Sequence, residues 1–490
     1  MKTIKAIISR LCVSSLLSGI IVFNLSTANV SAQSQPANTL SIITYGASTG
    51  SSDNTSAIQS CINAAQTQGK GVWIPSGTYK VTGSLSATGI LIAGAGMTSS
   101  VIYRQKSGST DTTIHVTRCT VQDLGVDGNG TARGVNADYG FSVNGVGWLM
   151  QRVQIQHSDA GMWATGSSGT IQNCVVTNTF ADGLNINNSD GPNGLGANLT
   201  IQSCKGYHAG DDEFAINSQI PTGSGRVNMV NAKVLNCVSS GAYAANGVRI
   251  AGGTNSTVQN NFITNAYQSD IICGIFGGEG SIGGIVQNAV ISGNTCVGGG
   301  TNNDNEAGIR LQDNSTATVT GNTIKSTLKY GVTMSDGTYT FNNNTINHPG
   351  LTGLWIESGA RGSATIKTNT VQSLNSGQVA FLNSATGTFT TTLSGNSWQT
   401  GTGVMFFSDI NYGGTASQTL GVGTYTLSQL AALGCANDSA SSVRVPSGRT
   451  LIMYSDDNFS GTSWTLTSDT PNFTTLSPNA NDTVSSCKVQ

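Results

Sequence analysis

The hexapeptide IQNCVV at residues 171–176 recurs along the chain with small changes, and this repetition predicts the fold. The pattern is an apolar residue, a variable residue, a small or amide residue, Asn or Cys, a variable residue and usually a further apolar residue. The copies are IQSCKG at 201, VLNCVS at 234, VQNNFI at 258, ISGNTC at 291, VTGNTI at 319, FNNNTI at 341, IKTNTV at 366 and LSGNSW at 393. They lie 22 to 33 residues apart, a period that indicates stacked supersecondary units.

Each repeat unit is predicted to consist of strands and turns, because its apolar residues alternate and it ends in turn-forming residues. Strands stacked about 4.8 Å apart would bury the inward Val, Ile and Leu positions as one core. Asparagine at a fixed place can form a hydrogen-bonded ladder along the stack, and it tolerates the left-handed backbone of a sharp bend. We therefore expect an all-β chain dominated by a right-handed parallel β-helix. We expect Cys174, Cys204, Cys237 and Cys296 to serve mainly as small buried apolar residues.

The N-terminus predicts export and a capped solenoid. Lys2, Lys5 and Arg10 precede an apolar stretch, and Val30-Ser31-Ala32 resembles a signal cleavage site. Residues 1–32 are thus predicted to be a signal peptide, and the mature protein to be secreted. A short helix from about residue 56 to 68, capped by the polar run at 52–55, is expected to cover the first coil.

Charge and composition favour a neutral ligand. Without the three basic residues of the signal segment, 19 of the 22 Lys and Arg residues remain against 24 Asp and Glu residues, a net charge of about −5. No basic patch suited to phosphates is present, so nucleic acid is not an expected partner. No segment after the signal is apolar enough to predict a membrane span. We expect a monomer that binds polysaccharide.

Acidic residues concentrate in two segments one repeat apart. Asp182 lies in the first segment, and Asp211, Asp212 and Glu213 lie in the second. Asp182 and Asp211 are 29 residues apart. Residues one coil apart share a face of the solenoid, and splayed side chains could bring the carboxyl groups to about 6.5–9.5 Å, the spacing of an inverting glycosidase. Clustered carboxylates raise the pKa of one member, which supplies a protonated acid beside an ionised base. The alternatives are acids that bind turn amides or a cation.

These motifs resemble glycoside hydrolases of the pectin-lyase-like superfamily, in particular family 87, the α-1,3-glucanases and mycodextranases. The resemblance rests on ADGLN at 181–185, GDDEFA at 210–215, GAGM at 94–97 and DAGMW at 159–163, and it spans roughly residues 38–300. It implies an inverting hydrolase with the catalytic trio Asp182, Asp211 and Asp212. We assign Asp211 as general acid, with Asp182 and Asp212 positioning and activating the water.

The motifs depart from those of polygalacturonases, which they also resemble. NTFAD at 178–182 carries two extra residues relative to the Asn-Thr-Asp motif of those enzymes, and Arg249-Ile250-Ala251 lacks the lysine that would bind a uronate. A neutral α-glucan is therefore favoured over pectate. Residues in or near the acidic coils are candidates for binding sugar hydroxyls or a sugar face: Trp163, Asp159, Asn185, His208, Glu213 and Arg249.

A different pattern begins after the β-helix, which is predicted to span residues 33–408. NDSASS at 437–442 and NDTVSS at 481–486 each follow an aromatic–glycine turn, so residues 409–490 form two related halves. Duplicated Greek keys explain this arrangement. The region resembles a βγ-crystallin domain with the microbial calcium motif. That resemblance implies a structural Ca²⁺ held with side-chain oxygens of Ser441 and Ser485 in loops shaped by Asp438 and Asp482; no cofactor is expected for catalysis. Whether Cys435 and Cys487 form a disulfide is left undecided by the sequence.

Two other functions remain to be weighed against an α-glucanase. The chain could be another β-helix enzyme, either a polygalacturonase-like hydrolase or a lyase, but a lyase would need a basic residue beside an acidic substrate. It could also be a cell-surface adhesin or spacer, since solenoids suit that role. The clustering of Asp182, Asp211, Asp212 and Glu213 argues against a spacer, which has no use for four neighbouring acids.

Overall fold

The structure is a computed structural model, and it describes residues 33–490 except 106–110, 136–137, 189–195, 221–224, 276–283, 301–304, 375–377, 386, 399–402, 413–414, 416, 418–419 and 447. The predicted signal segment, residues 1–32, lies outside the described residues. No helix of the described part is long and apolar enough to cross a membrane.

The N-terminal segment covers the first coil with a helix, as predicted. The helix α1 runs over Thr55–Gln68 and follows a 3₁₀ turn at Ile42–Tyr45. Its first turn is held by Asp53, whose Oδ1 accepts the backbone N–H of Thr55 at 2.9 Å. Ile58, Cys61, Ile62 and Ala65 of the helix are buried against the solenoid.

The chain then winds as a right-handed parallel β-helix with two large parallel sheets. A 25-stranded sheet combines the repeat strands with the first strands of the solenoid. Its strands are Thr39–Ser41, Gly71–Ile74, Gly77–Val81, Leu91–Gly94, Ser100–Arg104, Thr120–Asp127, Leu149–Gln156, Thr170–Gln172, Val175–Thr177, Thr200–Gln202, Lys205–Tyr207, Lys233–Leu235, Val238–Ser240, Thr257–Gln259, Phe262–Thr264, Ala289–Ser292, Thr295–Val297, Ser315–Thr320, Thr323–Lys325, Gly337–Asn342, Thr345–Asn347, Gly362–Lys367, Thr370–Gln372, Phe389–Ser394 and Ser397–Trp398.

The second face of the solenoid is a twelve-stranded sheet, and this sheet carries the acidic motifs. Its strands are Leu85–Thr88, Ile114–Thr117, Tyr139–Asn144, Ala160–Ala164, Leu184–Asn187, Phe214–Asn217, Val248–Ala251, Ile271–Gly274, Ala307–Leu311, Tyr330–Met334, Leu354–Ile356 and Phe381–Asn383. A two-stranded pair, Gly253–Thr254 with Val286–Gln287, lies beside the coils. The inward side chains of the sheets form one buried apolar core along the solenoid.

The predicted asparagine ladder is present inside the solenoid. The side-chain amides of Asn261, Asn294, Asn322, Asn344 and Asn369 each donate at 2.9–3.1 Å to the side-chain oxygen of the asparagine one coil further on. The left-handed backbone belongs instead to the residue before each ladder position, such as Asn260 with φ of 56° or Gly293 with φ of 65°. The two roles that we assigned to one asparagine are thus divided between two neighbours.

Cysteines continue the ladder toward the N-terminus. The backbone N–H of Cys174 contacts the sulfur of Cys204 at 3.5 Å, and that of Cys204 contacts the sulfur of Cys237 at 3.4 Å. The N–H of Cys237 then meets Oδ1 of Asn261 at 2.8 Å. These residues and Cys296 are buried free thiols, as expected for small apolar residues.

The C-terminal unit is built of antiparallel strands. Its strands are Met405–Phe407 with Ser442–Arg444, and Gly423–Tyr425, Leu451–Asp456, Ser460–Leu466 and Ser486–Val489; it also holds the short helix Leu427–Ala432 and 3₁₀ turns at Ile410–Tyr412, Asp457–Phe459 and Phe473–Thr475. Met405–Phe407 pairs with Ser442–Arg444, so this strand joins the C-terminal sheets just before the predicted boundary at 408/409. The last described strand of the 25-stranded sheet is Ser397–Trp398.

Candidate active site

Three carboxylates meet where two neighbouring strands of the twelve-stranded sheet begin. Asp182 precedes the strand Leu184–Asn187, and Asp211 and Asp212 precede Phe214–Asn217. Leu184 pairs with Phe214, so the register places Asp182 beside Asp212, whereas spacing alone had pointed to Asp211. One carboxylate oxygen from each of the three residues lies within 4.8 Å of the others. These oxygens are therefore closer to one another than the separation of about 6.5–9.5 Å that we predicted for the carboxyl groups.

Asp182 is held by two hydrogen bonds. The Asn185 side-chain amide donates to Oδ2 at 2.6 Å, and the backbone N–H of Asp212 donates to Oδ1 at 3.2 Å. Asn187 in turn donates to Oδ1 of Asn185 at 2.9 Å, which orients the Asn185 amide. Burial, reinforced by the charges of Asp212 and Asp211, raises the pKa of Asp182 to about 7. This carboxyl group therefore carries a proton through the mildly acidic range.

Asp212 is buried and lies in a more polar setting. Its Oδ1 accepts the backbone N–H of Asn246 at 3.1 Å and the Asn246 side-chain amide at 2.8 Å. The Nε of Arg249 is 3.9 Å from its Oδ2. Burial raises the pKa of Asp212 to about 6, with Arg249 opposing the shift and Asp211 adding to it. The cation of Arg249 and the hydrogen bonds from Asn246 thus favour the ionised form of Asp212.

Asp211 is the most accessible carboxylate of the trio. Its side chain is 36% exposed, and its Oδ2 lies 3.7 Å from Nη1 of the exposed Arg133. The neighbouring backbone N–H of Gly134 donates to both oxygens of Asp159, at 2.9 and 2.8 Å. A single loop at residues 133–134 therefore links Asp159 to the acid cluster. Asp159, expected to bind sugar, is largely buried and anchors this loop.

Sequence reasoning missed Arg133 and Asn246. Arg133 lies in a loop between strands, where no repeat pattern marks it. Asn246 carried a usable signal, because Asn246-Gly247-Val248 occupies the register of Asp182-Gly183-Leu184 and Asp212-Glu213-Phe214 in the preceding coils. Aligning coils by strand register would have identified it.

Trp163, Asn185 and Arg249 occupy one outward register row of the twelve-stranded sheet, with Ala215 between the last two. Trp163 is half-buried and stacks on Tyr139, with ring centroids 5.4 Å apart and planes 11° from parallel. Tyr139, which sequence reasoning also missed, completes an aromatic surface one coil from Asp182. Asn185 is buried and contacts Asp182, so it positions an acid.

The two remaining predicted sugar-binding residues lie apart from this row. His208 is exposed at a coil corner, with a left-handed φ of 60°, and no hydrogen bond from its ring to the trio occurs among the described residues. The prediction that Glu213 contacts substrate is wrong, because its side chain is fully buried inside the coil. Its Oε1 accepts the N–H of Ala209 at 2.8 Å, and burial raises its pKa to about 8. Glu213 is therefore a protonated interior residue near neutral pH.

The C-terminal loops form two matching oxygen clusters. The Ser485 hydroxyl contacts Oδ1 of Asn437 at 2.9 Å and Oδ1 of Asp438 at 3.4 Å, while the Ser441 hydroxyl lies 3.5 Å from Oδ1 of Asp482. Each serine thus meets the aspartate of the other half. Both aspartates adopt left-handed backbone, with φ of 51° and 53°. Clustered carboxylate, amide and hydroxyl oxygens are the donor set that Ca²⁺ prefers, so the residues fit that ion.

The duplication expected from sequence extends to the turns before these loops. The N–H of Tyr412 donates to the Ser442 hydroxyl at 3.0 Å, and the N–H of Phe459 donates to the Ser486 hydroxyl at the same distance. Cys435 and Cys487 are both free thiols, so the open question of a disulfide between them is answered in the negative.

Two family descriptions match the β-helix. The family described as rhamnogalacturonase A/epimerase, pectate lyase-like, matches residues 40–269, which contain the acid cluster. The family described as right-handed beta helix region matches residues 307–417. The solenoid is thus a pectate lyase-like parallel β-helix.

Solved structures similar to the β-helix include catalytic domains of α-1,3-glucanases and the A-module of the mannuronan C-5 epimerase AlgE6 from Azotobacter vinelandii, which is 18% identical with a TM-score of 0.56 over 73% of this chain and 98% of that chain. The catalytic unit of the family 87 α-1,3-glucanase from Streptomyces thermodiastaticus is 26% identical, with 75% of this chain and 70% of that chain covered and a TM-score of 0.62. The catalytic domain of Agl-KA is 21% identical, with 74% and 69% covered and a TM-score of 0.64. The predicted resemblance of the β-helix to family 87 catalytic domains is confirmed. No curated protein sequence matches the chain.

The C-terminal residues are also similar to a solved domain. A βγ-crystallin domain from Clostridium beijerinckii is 48% identical over 18% of this chain and 95% of that chain, with a TM-score of 0.17.

Proposed function

We propose that this chain is a secreted glycoside hydrolase that cleaves α-1,3-glucosidic bonds in a neutral α-glucan. The observation that carries the proposal is the trio Asp182, Asp211 and Asp212, whose carboxylate oxygens converge within 4.8 Å of one another. Glycosidic cleavage needs a protonated carboxyl group and an ionised carboxylate together. The similarity to a family 87 α-1,3-glucanase supports the choice of substrate.

In the proposed mechanism, Asp211 is the general acid and Asp212 is the general base. Asp211 is exposed enough to reach the glycosidic oxygen and gives it a proton as the C1–O bond breaks. Asp212, kept ionised by Arg249 and Asn246, takes a proton from a water whose oxygen bonds to C1 on the opposite face of the sugar. Asp182, protonated in the same pH range, hydrogen-bonds that water. The configuration at C1 is thereby inverted; Asp212 then releases its proton to solvent and Asp211 regains one from solvent.

A leaving-group experiment tests this division of roles. An α-glycosyl fluoride of an α-1,3-linked oligosaccharide needs no protonation of its leaving group. Asp211→Asn should retain fluoride hydrolysis and lose about 10²–10⁴-fold on glucan, whereas Asp212→Asn should lose both activities. If Asp182→Asn shows the selective loss and Asp211→Asn does not, Asp182 is the acid.

The substrate is tested by reducing-sugar release from α-1,3-glucan, nigeran, dextran and polygalacturonate. Activity on α-1,3-glucan or nigeran that disappears in Asp211→Asn supports the proposal. Asp456→Asn is the control, because that exposed carboxylate lies in the C-terminal unit and contacts the adjacent Ser455 hydroxyl. Activity on polygalacturonate alone would instead make the chain a pectinase, consistent with the rhamnogalacturonase-like family match. Inactivity on all four would favour an adhesin.

The stereochemical course is tested by NMR of the first product. An α-linked substrate that yields the β-anomer first is hydrolysed with inversion, and one that yields the α-anomer is hydrolysed with retention. Retention would contradict the water-activating role of Asp212 and make one trio member a nucleophile. This outcome has to be tested because the carboxylate oxygens lie closer together than the sequence predicted.

We further propose that the two C-terminal oxygen clusters bind Ca²⁺ and stabilise that unit. The cross-connection of Ser441 with Asp482 and of Ser485 with Asp438 supports this, because a bound cation would tie the two halves together. Calorimetric titration of the full chain should then give two sites.

A further inference from the structure

A second aromatic pair lies on the twelve-stranded sheet, far from the acid cluster, and it repeats the sequence pattern of the first. Tyr139-Gly140-Phe141-Ser142 is followed one coil later by Gly161-Met162-Trp163. Tyr330-Gly331-Val332-Thr333 is likewise followed one coil later by Gly353-Leu354-Trp355. In both places the tyrosine of one coil stacks on the tryptophan of the next. The Tyr330 and Trp355 ring centroids are 4.5 Å apart, with planes at 30°.

The two pairs face the same way. Continuous pairing carries the outward row from Trp163 through Asn185, Ala215, Arg249, Ile272, Arg310 and Thr333 to Trp355. Seven strand-to-strand steps of about 4.8 Å separate the tryptophans, a distance of about 34 Å. The acid cluster borders the second of these steps, from Asn185 to Ala215, so five to six steps, about 24–29 Å, separate it from Trp355. A ligand extended along this sheet from the acids would run toward the second pair.

The second pair is held rigidly and remains half-exposed. The Trp355 indole N–H donates to the Ser384 hydroxyl at 2.9 Å, which fixes the ring orientation. Tyr330 and Trp355 are each partly accessible. A rigid amphipathic ring surface loses little conformational entropy when a ligand stacks on it.

Polar groups that can bond sugar hydroxyls lie beside these rings. Glu357 follows the Trp355 strand, and its Oε2 accepts the Asn305 amide at 3.1 Å. Arg310 bridges two acids, with Nη1 2.6 Å from Oε1 of the buried Glu306 and Nε 3.9 Å from Oε1 of Glu357. Glu357 also borders an open groove of about 350 Å³ lined by Asp313, Asn314, Ser335 and Asp336. Arg310 is paired with Glu306 and Glu357, and the hydroxyl, amide and carboxylate groups around the groove can hydrogen-bond a polyhydroxylated ligand.

We propose that the surface formed by Tyr330, Trp355 and Glu357 is a remote binding site for the glucan chain, which it holds while the acid cluster cleaves about 24–29 Å away. The inference rests on the proposed function for the identity of the sugar. The site stacks a glucose ring on Trp355, and Glu357 accepts a sugar hydroxyl. It acts on long chains only, because a short oligosaccharide bound at the acids cannot reach it.

Binding of long and short substrates tests the site. In the Asp211→Asn background, which binds without turnover, Trp355→Ala should weaken binding of soluble long-chain α-1,3-glucan by about tenfold, roughly 1.4 kcal/mol. With Asp211 intact, Trp355→Ala should raise KM on that long glucan and leave kcat/KM on nigerotetraose unchanged. Tyr330→Ala should act in the same direction, and Trp355→Phe should restore part of the affinity. Phe262→Ala is the matched control, because Phe262 is 45% exposed on the other sheet.

The outcomes separate the two proposals. Equal loss on long and short substrates, or no loss, overturns the remote site while the hydrolase proposal stands. A binding loss with long glucan alone, with Trp355→Ala still melting at the temperature of the unsubstituted protein, supports the site. No binding of α-1,3-glucan by Asp211→Asn, together with an inactive unsubstituted protein, overturns both. If Trp355→Ala fails to fold, Tyr330→Ala and Trp355→Phe decide by the same comparison.

Discussion

Replacing Arg249 with glutamine should move the acidic limb of the pH–activity profile upward. Arg249 lies 3.9 Å from Oδ2 of Asp212 and its side chain is 13% exposed. At an effective dielectric constant of 20, an ion pair at that distance is worth about 4 kcal/mol. Because the guanidinium is partly solvated and not in direct hydrogen-bond contact, we expect about half of this or less. The pKa of Asp212, raised by burial to about 6, should therefore rise further by about 1 to 1.5.

The assay is kcat/KM against pH on a soluble α-1,3-linked oligosaccharide. A base must be ionised to act, so activity of the unsubstituted protein should fall as the pH drops through about 6. In Arg249→Gln the same fall should occur above pH 7, with activity lost at pH 6. Arg249→Lys retains a cation and should leave the limb within a few tenths of a pH unit.

One result would refute the reasoning directly. If Arg249→Gln raises KM but leaves the acidic limb in place, Arg249 binds sugar without controlling a titrating group. Asp212 would then not be the base whose ionisation limits activity. A limb that moves equally in Arg249→Lys would show that guanidinium geometry, and not charge, sets the pKa.

Three further predictions concern stability and calcium. Asn294→Ala should lower the free energy of unfolding by about 2–4 kcal/mol in urea denaturation, because it breaks buried ladder bonds to both neighbouring coils; a loss below 0.5 kcal/mol would mean that the ladder stabilises nothing. The pKa of Glu213 is about 8 in the folded protein and near 4.5 in the unfolded chain, so its contribution makes the free energy of unfolding fall as the pH rises between these values. Relative to the unsubstituted protein, Glu213→Gln should therefore be more stable at pH 8 than at pH 5. A difference in stability that does not change with pH would contradict this. Ser485→Ala and Ser441→Ala should each reduce the calorimetric stoichiometry from two Ca²⁺ to one, whereas no Ca²⁺ binding by the unsubstituted chain would exclude both sites.

The repeat made the solenoid predictable because the same kinds of residues occupy the same packing positions in every coil. Inward Val and Ile positions, a turn residue and a ladder residue recur in order, so the pattern is visible without any long-range information. The sequence did not show that Asn260 would take the left-handed bend and Asn261 the ladder position. Which of the two residues takes the left-handed bend is settled by the path of the adjoining strands.

The acid cluster was predictable in membership and not in geometry. Asp182, Asp211 and Asp212 lie one coil apart in sequence, which places them on one face. Their spacing depends on the strand register, which puts Asp182 opposite Asp212. The exclusion of Glu213 depends on where its strand begins, since Asp212 contacts Arg249 on the outer face and the next residue turns into the core.

By itself, the sequence determined the repeating architecture, the duplicated C-terminal unit and the three aspartates, because each is encoded by local pattern and spacing. Tertiary structure alone decided the partners of those aspartates. Arg133 comes from a loop between strands, Asn246 and Arg249 come from the coil after Asp212, and Tyr139 comes from the coil before Trp163. Tertiary structure also joined Met405–Phe407 to the C-terminal sheets. These contacts join residues distant in the chain, and register and burial, which local patterns do not encode, determine them.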